Sequence, residues 1–433
     1  MGWRTLSDAF DVIIVGAGVA GSTAAYVLAK EGLDVLVIER GDYAGSKNMT
    51  GGRIYGHSLE RIMPGFAEEA PVERKITTEK ISLMTDDSLV TVDFRSSKLT
   101  EHGASSYSVL RSEFDQWLAG KAEDAGAQIV PGIRVDDLLL KEGRVCGIKA
   151  GDEEMEANVV ILADGVNSLL AQKLGFRGEL RPDEVAVGVK EIITLPKQVI
   201  EDRFNLNNGE GAAWLFDGSA SAGRIGGGFI YTNNESLSVG IVCTLADLGD
   251  SPIPLPQMLE NFKAHRSIAP LVADGKLAEY SAHLVPEAGI NMLPKLIDDG
   301  VLVIGDAAGF CINIGYAVRG MDLAIGSAEA AAKAVLEAKA KGDFSAAALS
   351  CYQQLLDESF VMKDLKLYRK FPKFMENKRI FNEYPQLAAN IMQQLFAING
   401  EESQPLRRKM MQEFKKVGLL HVMKDVFQGV RSL

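Results

Sequence analysis

The sequence predicts an α/β protein in three parts: a parallel-sheet domain assembled from separated segments, an antiparallel β-sheet domain and a helical C-terminal region. Three observations predict it. A strand, helix, strand unit opens the chain at residues 11 to 40, and a strand, turn, helix unit of similar character recurs at 301 to 335. Between them, from 176 to about 290, helical periodicity gives way to strand-length runs bounded by Gly, Asn and Asp.

In DVIIVGAGVAGSTAAYVLAKEGLDVLVIER, Asp11 to Val15 is a short apolar run, Ser22 to Lys30 has helical composition, and Gly32 ends the helix before the run Val35 to Ile38. Gly16, Gly18 and Gly21 keep the G-x-G-x-x-G spacing, with Ala17 and Ala20 as small residues of the same turn, and Glu39-Arg40 stands at the end of the second strand. Gly16 allows the tight turn, Gly18 lets backbone approach a pyrophosphate, Gly21 lets helix and strand pack closely, and the helix N-terminus attracts the anion. Glu39 would accept hydrogen bonds from the two ribose hydroxyls of an adenosine. An ordinary tight turn would not need an acid at that position, so the unit predicts dinucleotide binding.

The second unit decides which dinucleotide. VLVIGDAAGFCINIGYAVRGMDLAIGSAEAAAKAV carries Gly305-Asp306-Ala307-Ala308-Gly309, then Gly315, then a helix from near Gly320. A nicotinamide site is completed within one continuous half of a chain, whereas FAD has a ribityl chain and a flavin ring that reach beyond the first unit. Asp306 can bind the ribityl hydroxyls, and the helix can aim its positive end at the flavin, where negative charge collects on reduction. A strand and core helix without a ligand is the plainer alternative.

Composition fits a large enzyme with a sizeable core: 433 residues, net charge −12. That charge argues against nucleic acid as a partner. Cys146, Cys243, Cys311 and Cys351 form no C-x-x-C pair, so neither a zinc site nor a self-contained iron–sulfur cluster is expected, and a reducing cytoplasm fits best. The N-terminal MGWRTLSDAFD has no apolar core of a signal peptide, and the run Val12 to Ala29 is interrupted by the glycines, so no membrane span is expected.

Further segments add to the cofactor site. KNMTGGR, with Lys47 and Asn48, is either a loop lying along the flavin and its phosphates or a plain Gly-rich surface loop. Residues 107 to 140 predict a strand carrying Arg111, a helix from Ser112 to Ala125, and a strand ending near Val135; Arg111 either reaches the pyrophosphate or is a surface charge. Residues 158 to 175 predict a buried strand ending in Asp164-Gly165, with Asn167 and Ser168 as helix caps. GRIGGGF, Gly223 to Phe229, joins strands and is expected to be a hairpin, not a phosphate loop. His283, Pro286 and Glu287 are expected near the flavin, His283 without a catalytic role. From Val361 to Leu433 fourteen Lys and Arg face seven Asp and Glu, a net of +7 that leaves the first 360 residues at −19. Residues 406 to 430 mix cations and apolar residues as on an interfacial helix, which predicts a docking surface or a solvated helical cap.

The glycine fingerprint with Glu39-Arg40, GSKNMTGGR, YSVLRSEFDQWL, VVILADGVNS, VPEAGINMLP and GDAAGF followed by RGMDLAIGSAEAAA together resemble the FixC family of flavoproteins, related to electron transfer flavoprotein–quinone oxidoreductase. The similarity runs over essentially the whole chain. The broader architecture resembles p-hydroxybenzoate hydroxylase and the geranylgeranyl reductases. The resemblance implies a Rossmann-like FAD-binding domain from residues 1–75, 100–175 and 285–345, an antiparallel β substrate domain from 76–99 and 176–284, and a basic helical region over 346–433. It places Gly16, Gly18, Gly21, Glu39, Arg111, Asp164 and Asp306 at family FAD-binding positions. The quinone oxidoreductase relatives carry a four-cysteine cluster domain that this sequence lacks. FixC-type proteins leave that cluster to a ferredoxin-like FixX subunit and receive electrons from an electron transfer flavoprotein, FixA and FixB. The implied function is FAD-dependent electron transfer towards quinone by a cytoplasmic protein in peripheral contact with the inner membrane. The alternatives are a stand-alone reductase of a small or isoprenoid substrate and an NAD(P)H-dependent hydroxylase. No catalytic side chain or metal site is expected, since the flavin carries the redox chemistry.

Overall fold

In the computed structural model, which describes residues 9–47, 52–101, 103–400, 402 and 404–432, the first strands are β1 (Phe10–Val15), β2 (Val35–Ile38), β3 (Arg53–Tyr55), β4 (Val72–Met84), β5 (Leu89–Arg95) and β6 (Ser106–Val109). They continue with β7 (Gln128–Val130), β8 (Asp137–Lys141), β9 (Arg144–Ala150), β10 (Glu153–Leu162), β11 (Val185–Thr194) and β12 (Glu210–Gly218). The last are β13 (Gly226–Thr232), β14 (Ser236–Thr244), β15 (Lys276–Pro286), β16 (Ile297–Asp298), β17 (Val301–Val303), β18 (Ile312–Asn313) and β19 (Val318–Arg319).

Runs of Val, Ile and Leu without a polar face need a sheet covered on both sides. They find it in the order β16-β17-β10-β1-β2-β7, parallel except for β16, with β8 and β9 joined to β10. Val12, Ile13, Ile14, Val37, Val160, Ile161 and Leu302 are all buried there. The Val19–Lys30 and Met321–Lys341 helices pack against one another beside this sheet. Fully buried Ala24, Ala25, Ala328 and Ala331 let them approach closely. Because β1, β2, β10 and β17 are parallel, Gly16, Glu39, Asp164 and Asp306 all emerge at one edge, outside the carboxyl ends of the strands, where such sheets bind ligands.

The second sheet has the order β15-β11-β14-β13-β12-β4-β6-β3, with β5 paired to β4. It is antiparallel apart from β4 with β12. Strand alternation divides its two faces. Val189, Trp214, Phe216, Ile230 and Val239 pack against Phe204, Met258, Leu259 and Phe262 of the Lys197–Phe204 and Leu255–Ala264 helices. The other face looks toward the carboxyl edge of the first sheet. β3 and β6, from segments expected to serve the cofactor, pair into this second sheet.

Several local expectations are corrected. The first helix begins at Val19 rather than Ser22, because Gly18 already stands at its cap. The strand before Arg111 ends at Val109, and Arg111 is the first residue of the Arg111–Asp124 helix. β7 ends at Val130, and Val135 lies in an irregular stretch before β8, half-buried against the core. Ser168 occupies the cap position of the Leu169–Lys173 helix, yet its hydroxyl makes no capping bond and serves Asp164 instead. Residues 406 to 430 form not one helix but parts of two, Leu406–Val417 and Leu419–Ser432, broken at Gly418 with φ +94°. Asn48 lies outside the described residues.

The C-terminal helices are held by ion pairs. Arg379 grips Asp425 through Nε and Nη2 at 2.7 and 2.8 Å, Tyr384 donates to the same carboxylate, and Lys378 reaches Asp247 at 2.6 Å. Among the described residues no helix is long and apolar enough to cross a membrane.

Candidate functional site

The first turn is built as its glycines require. Gly16 has φ +104°, and a Cβ there would lie 2.4 Å from the Ala163 carbonyl oxygen; at Gly21 it would lie 1.9 Å from the Gly16 oxygen. The Ala17 N–H donates to Glu39 Oε2 at 2.9 Å and the Gly41 N–H to Glu39 Oε1 at 2.6 Å. Backbone thus orients this acid, leaving further lone pairs on each oxygen for a ribose. Arg40 and Lys47 are exposed at the same edge.

Farther in, Gly18, Ala20, Arg111, Gly165, Asp306 and Gly315 line one cavity. Arg111 is 7% exposed, which removes the surface-charge reading, and it holds the fully buried Asp115 through Nε and Nη2, both at 2.7 Å. Burial works against the Arg111 charge, and Asp115 outweighs it. Burial raises Asp306, opposed by Arg111, and its carboxylate has no hydrogen-bond partner among the described residues. Gly305 has φ +60°, and its N–H donates to Ser327 Oγ at 3.0 Å, tying the Asp306 turn to the following helix. That helix is capped at Gly320, and Gly320 and Met321 line the cavity. Burial pushes Asp164 up to about 6 against the hydrogen bond from Ser168.

This is a cradle for FAD: a strand-to-helix turn whose Gly16 and Gly21 have no room for a Cβ, an unpartnered carboxylate in the turn after β17, and two helix N-termini facing one space. Bound there, FAD supplies two-electron and one-electron redox chemistry.

The far wall has no counterpart among the sequence expectations. Gly188, Lys190, Asp217, Gly227, Phe229 and Tyr231, all from the second sheet, face the same cavity. The expected hairpin around Gly223 to Phe229 is present, but its glycines also serve as cavity floor. The available signals were a lysine inside the apolar strand AVGVKEII and a run of three glycines. Pro286 and Glu287 line the cavity. His283 sits on β15 opposite Gly188; burial, reinforced by Arg111 and Arg40, pushes it down to about 4, so it stays neutral.

Comparison with known proteins accords with this geometry. Residues 11–103 and 111–334 match the FAD dependent oxidoreductase family, and residues 371–433 the ETF-QO/FixC family C-terminal domain. The chain is 55% identical over 426 residues to the probable electron transfer flavoprotein-quinone oxidoreductase YdiS of Escherichia coli K12, covering 98% of this chain and 99% of that one. It is 56% identical, with the same coverage, to protein FixC of Salmonella typhimurium. Among solved structures, a geranylgeranyl bacteriochlorophyll reductase-like protein from Thermoplasma acidophilum superposes with a TM-score of 0.72 at 21% identity, covering 96% of this chain and 99% of that one. The halogenase PltM in complex with phloroglucinol and FAD gives 0.61 at 16% identity, covering 89% and 81%. These last two show the shared fold. Fold, cofactor cradle and full-length identity converge: the chain belongs to the FixC family of FAD-dependent oxidoreductases, related to electron transfer flavoprotein–quinone oxidoreductase.

Proposed function

We propose that the bound FAD takes electrons from a reduced electron transfer flavoprotein of the FixA/FixB type and passes them towards quinone, with a separate ferredoxin-like FixX subunit supplying the iron–sulfur cluster. The observation that carries this reading is the near full-length identity to a probable electron transfer flavoprotein-quinone oxidoreductase and to a protein named FixC. The cavity agrees with it, since the second sheet leaves a glycine-floored space beside the Gly320 end of the flavin helix. On this reading Gly16, Gly18 and Gly21 surround the pyrophosphate, Glu39 takes the adenosine ribose, Asp306 the ribityl chain, and Arg111 and Asp164 flank the phosphates and flavin. Segments 1–75, 100–175 and 285–345 then serve the cofactor, 76–99 and 176–284 the acceptor, and 346–433 docking.

The C-terminal helices supply the docking face. Leu420, Met423, Phe427 and Val430 recur at helical spacing and are exposed, Leu420 by 79% and Val430 by 72%, beside the exposed Arg407, Arg408 and Lys415. An apolar helix face rimmed by cations suits the anionic inner-membrane surface from the cytoplasmic side, or an acidic ferredoxin-like subunit. The likeness to a reductase-like structure, at 21% identity, supports the fold and not that activity. Mixing the protein with its FixA/FixB-like heterodimer and a short-chain quinone tests the proposal: quinone reduction should require both proteins, and equal reduction without the heterodimer would reject it.

A further inference from the structure

Glycines thin the cavity face of the second sheet along its middle, where Val242 and Phe229 are the side chains that remain, and an ionisable group stands at either side. Gly227 pairs with Val242, and Val242 with Gly188. Asp217 stands next to Gly227, whose Cβ, if present, would lie 3.3 Å from Asp217 Oδ1. Two residues along, Leu215, Phe229, Gly240 and Lys190 form the neighbouring cross-strand row, and a Cβ on Gly240 would lie 2.4 Å from the Phe229 ring. Asp217 on β12 and Lys190 on β11 are therefore three strands apart on one face. At about 4.8 Å per strand and two residues of offset, their Cα atoms stand roughly 16 Å apart. Once a short and a long side chain reach inward, that span suits a six-membered ring with oxygens at opposite ends.

Neither group is used by the fold. Lys190 is 2% exposed, and among the described residues neither it nor Asp217 makes a side-chain hydrogen bond or ion pair. Ser281, paired with Lys190 on β15, has a buried hydroxyl that also lacks a partner. Charged groups on the neighbouring elements are engaged elsewhere: Lys80 with Asp93, Arg53 with Glu79, and Arg224 and Lys378 with Asp247. Arg111, Asp306 and Glu287 share the cavity, and Glu279 and Arg111 are the charges that act on Lys190. Leaving a buried lysine and a half-buried carboxylate without partners is costly unless a ligand supplies them.

We propose that Asp217 and Lys190 hold the two opposed oxygens of a para-quinone in this cavity, and that Asp217 gives a proton to one of them as the ring is reduced. The proposal rests on the quinone reading above. The quinone gains two electrons from the reduced flavin and two protons. One O–H bond forms as the Asp217 O–H breaks, the other as a Lys190 N–H breaks. Both side chains recover their protons from solvent, which receives the two that the flavin gives up. Burial prepares both groups for this exchange, lifting Asp217 to about 7 and lowering Lys190 to about 8.

Photoreduced holoprotein mixed anaerobically with a short-chain ubiquinone or with ferricenium, which takes an electron and no proton, separates the possibilities. Asp217→Asn should lower the quinone-to-ferricenium rate ratio at least tenfold and abolish its pH dependence near 7. Lys190→Met should weaken quinone binding at least tenfold, read from the perturbed absorbance of the oxidised flavin, with FAD content confirming the fold of both variants. An infrared carboxylic acid band that titrates near pH 7 and vanishes in Asp217→Asn would identify the proton donor. Wild type that reduces quinone while both variants match it in ratio, pH profile and binding overturns the proposal alone. Wild type reoxidised by ferricenium but not by quinone overturns the quinone reading and the proposal with it.

Discussion

Arg111 and Asp115 form a two-point ion pair one helical turn apart, both contacts at 2.7 Å, inside the protein on the side of Asp306. Removing one partner of such a pair leaves an uncompensated buried charge, at a cost of about 3–5 kcal/mol. Asp115→Ala should therefore destabilise the FAD-free protein strongly. A bound pyrophosphate restores an anion to Arg111, so added FAD should raise the melting temperature of the variant more than that of wild type. Equal shifts would place Arg111 outside phosphate binding.

Asp306→Ala should weaken FAD binding by removing charge-assisted hydrogen bonds worth roughly 1.5–3 kcal/mol. Purified wild type should be yellow with non-covalent FAD. Titration of the variant with FAD, followed by quenching of flavin fluorescence, checks this. Undiminished affinity would remove Asp306 from the ribityl site.

Asp217 should leave a signature in stability. Burial lifts it from 3.8 to about 7, so between those values the folded protein holds a proton that the unfolded chain has released. Stability contributed at this site therefore falls as pH rises through that window. Relative to wild type, Asp217→Asn should gain on the order of 2–4 kcal/mol between pH 4 and pH 8, because each pH unit crossed inside the window is worth about 1.4 kcal/mol. Urea midpoints of both proteins at the two pH values measure the difference. A constant offset would contradict it.

The C-terminal helices should dock by two separable forces. Changing Arg407, Arg408, Lys409, Lys415 and Lys416 to Gln should keep FAD bound and reduce co-sedimentation with anionic vesicles, or capture of the iron–sulfur subunit, as high salt does in wild type. Each cation near an anionic surface contributes about 1 kcal/mol. Lys409 bonds the Gln394 carbonyl and Lys416 pairs with Glu413, so part of that loss reflects the helix packing itself. Leu420→Ser with Phe427→Ser should weaken association without changing its salt dependence. Full association by both variants at low salt would make the region a helical cap.

The parts legible in the sequence are those where backbone geometry dictates residue type. Gly16 and Gly21 are legible because a Cβ at 2.4 or 1.9 Å from a backbone oxygen cannot be accommodated, and Asp306 because an acid after a buried strand has few structural uses. Arg111 stays open between two roles in the sequence, since what decides between them is the burial that only the fold creates. Lys190 and Asp217 escape notice because alternation along β11 and β12 does not reveal what faces them; the opposing layer comes from separate segments of the chain, around Gly18, Arg111, Gly165 and Gly320. The apolar face of the last helix is only half legible, as its composition mixes cations with apolar residues and only the docked geometry tells which side stays open.

Anaerobic stopped-flow measurement of flavin bleaching tests most directly whether a partner flavoprotein, rather than a nicotinamide, feeds this flavin. The FixA/FixB-like heterodimer, once reduced, should bleach the bound FAD at enzymatic rates, while NADPH alone should leave it oxidised. Rapid bleaching by NADPH with no partner present, and none by the reduced heterodimer, would contradict the account and move the protein to the stand-alone reductases or hydroxylases.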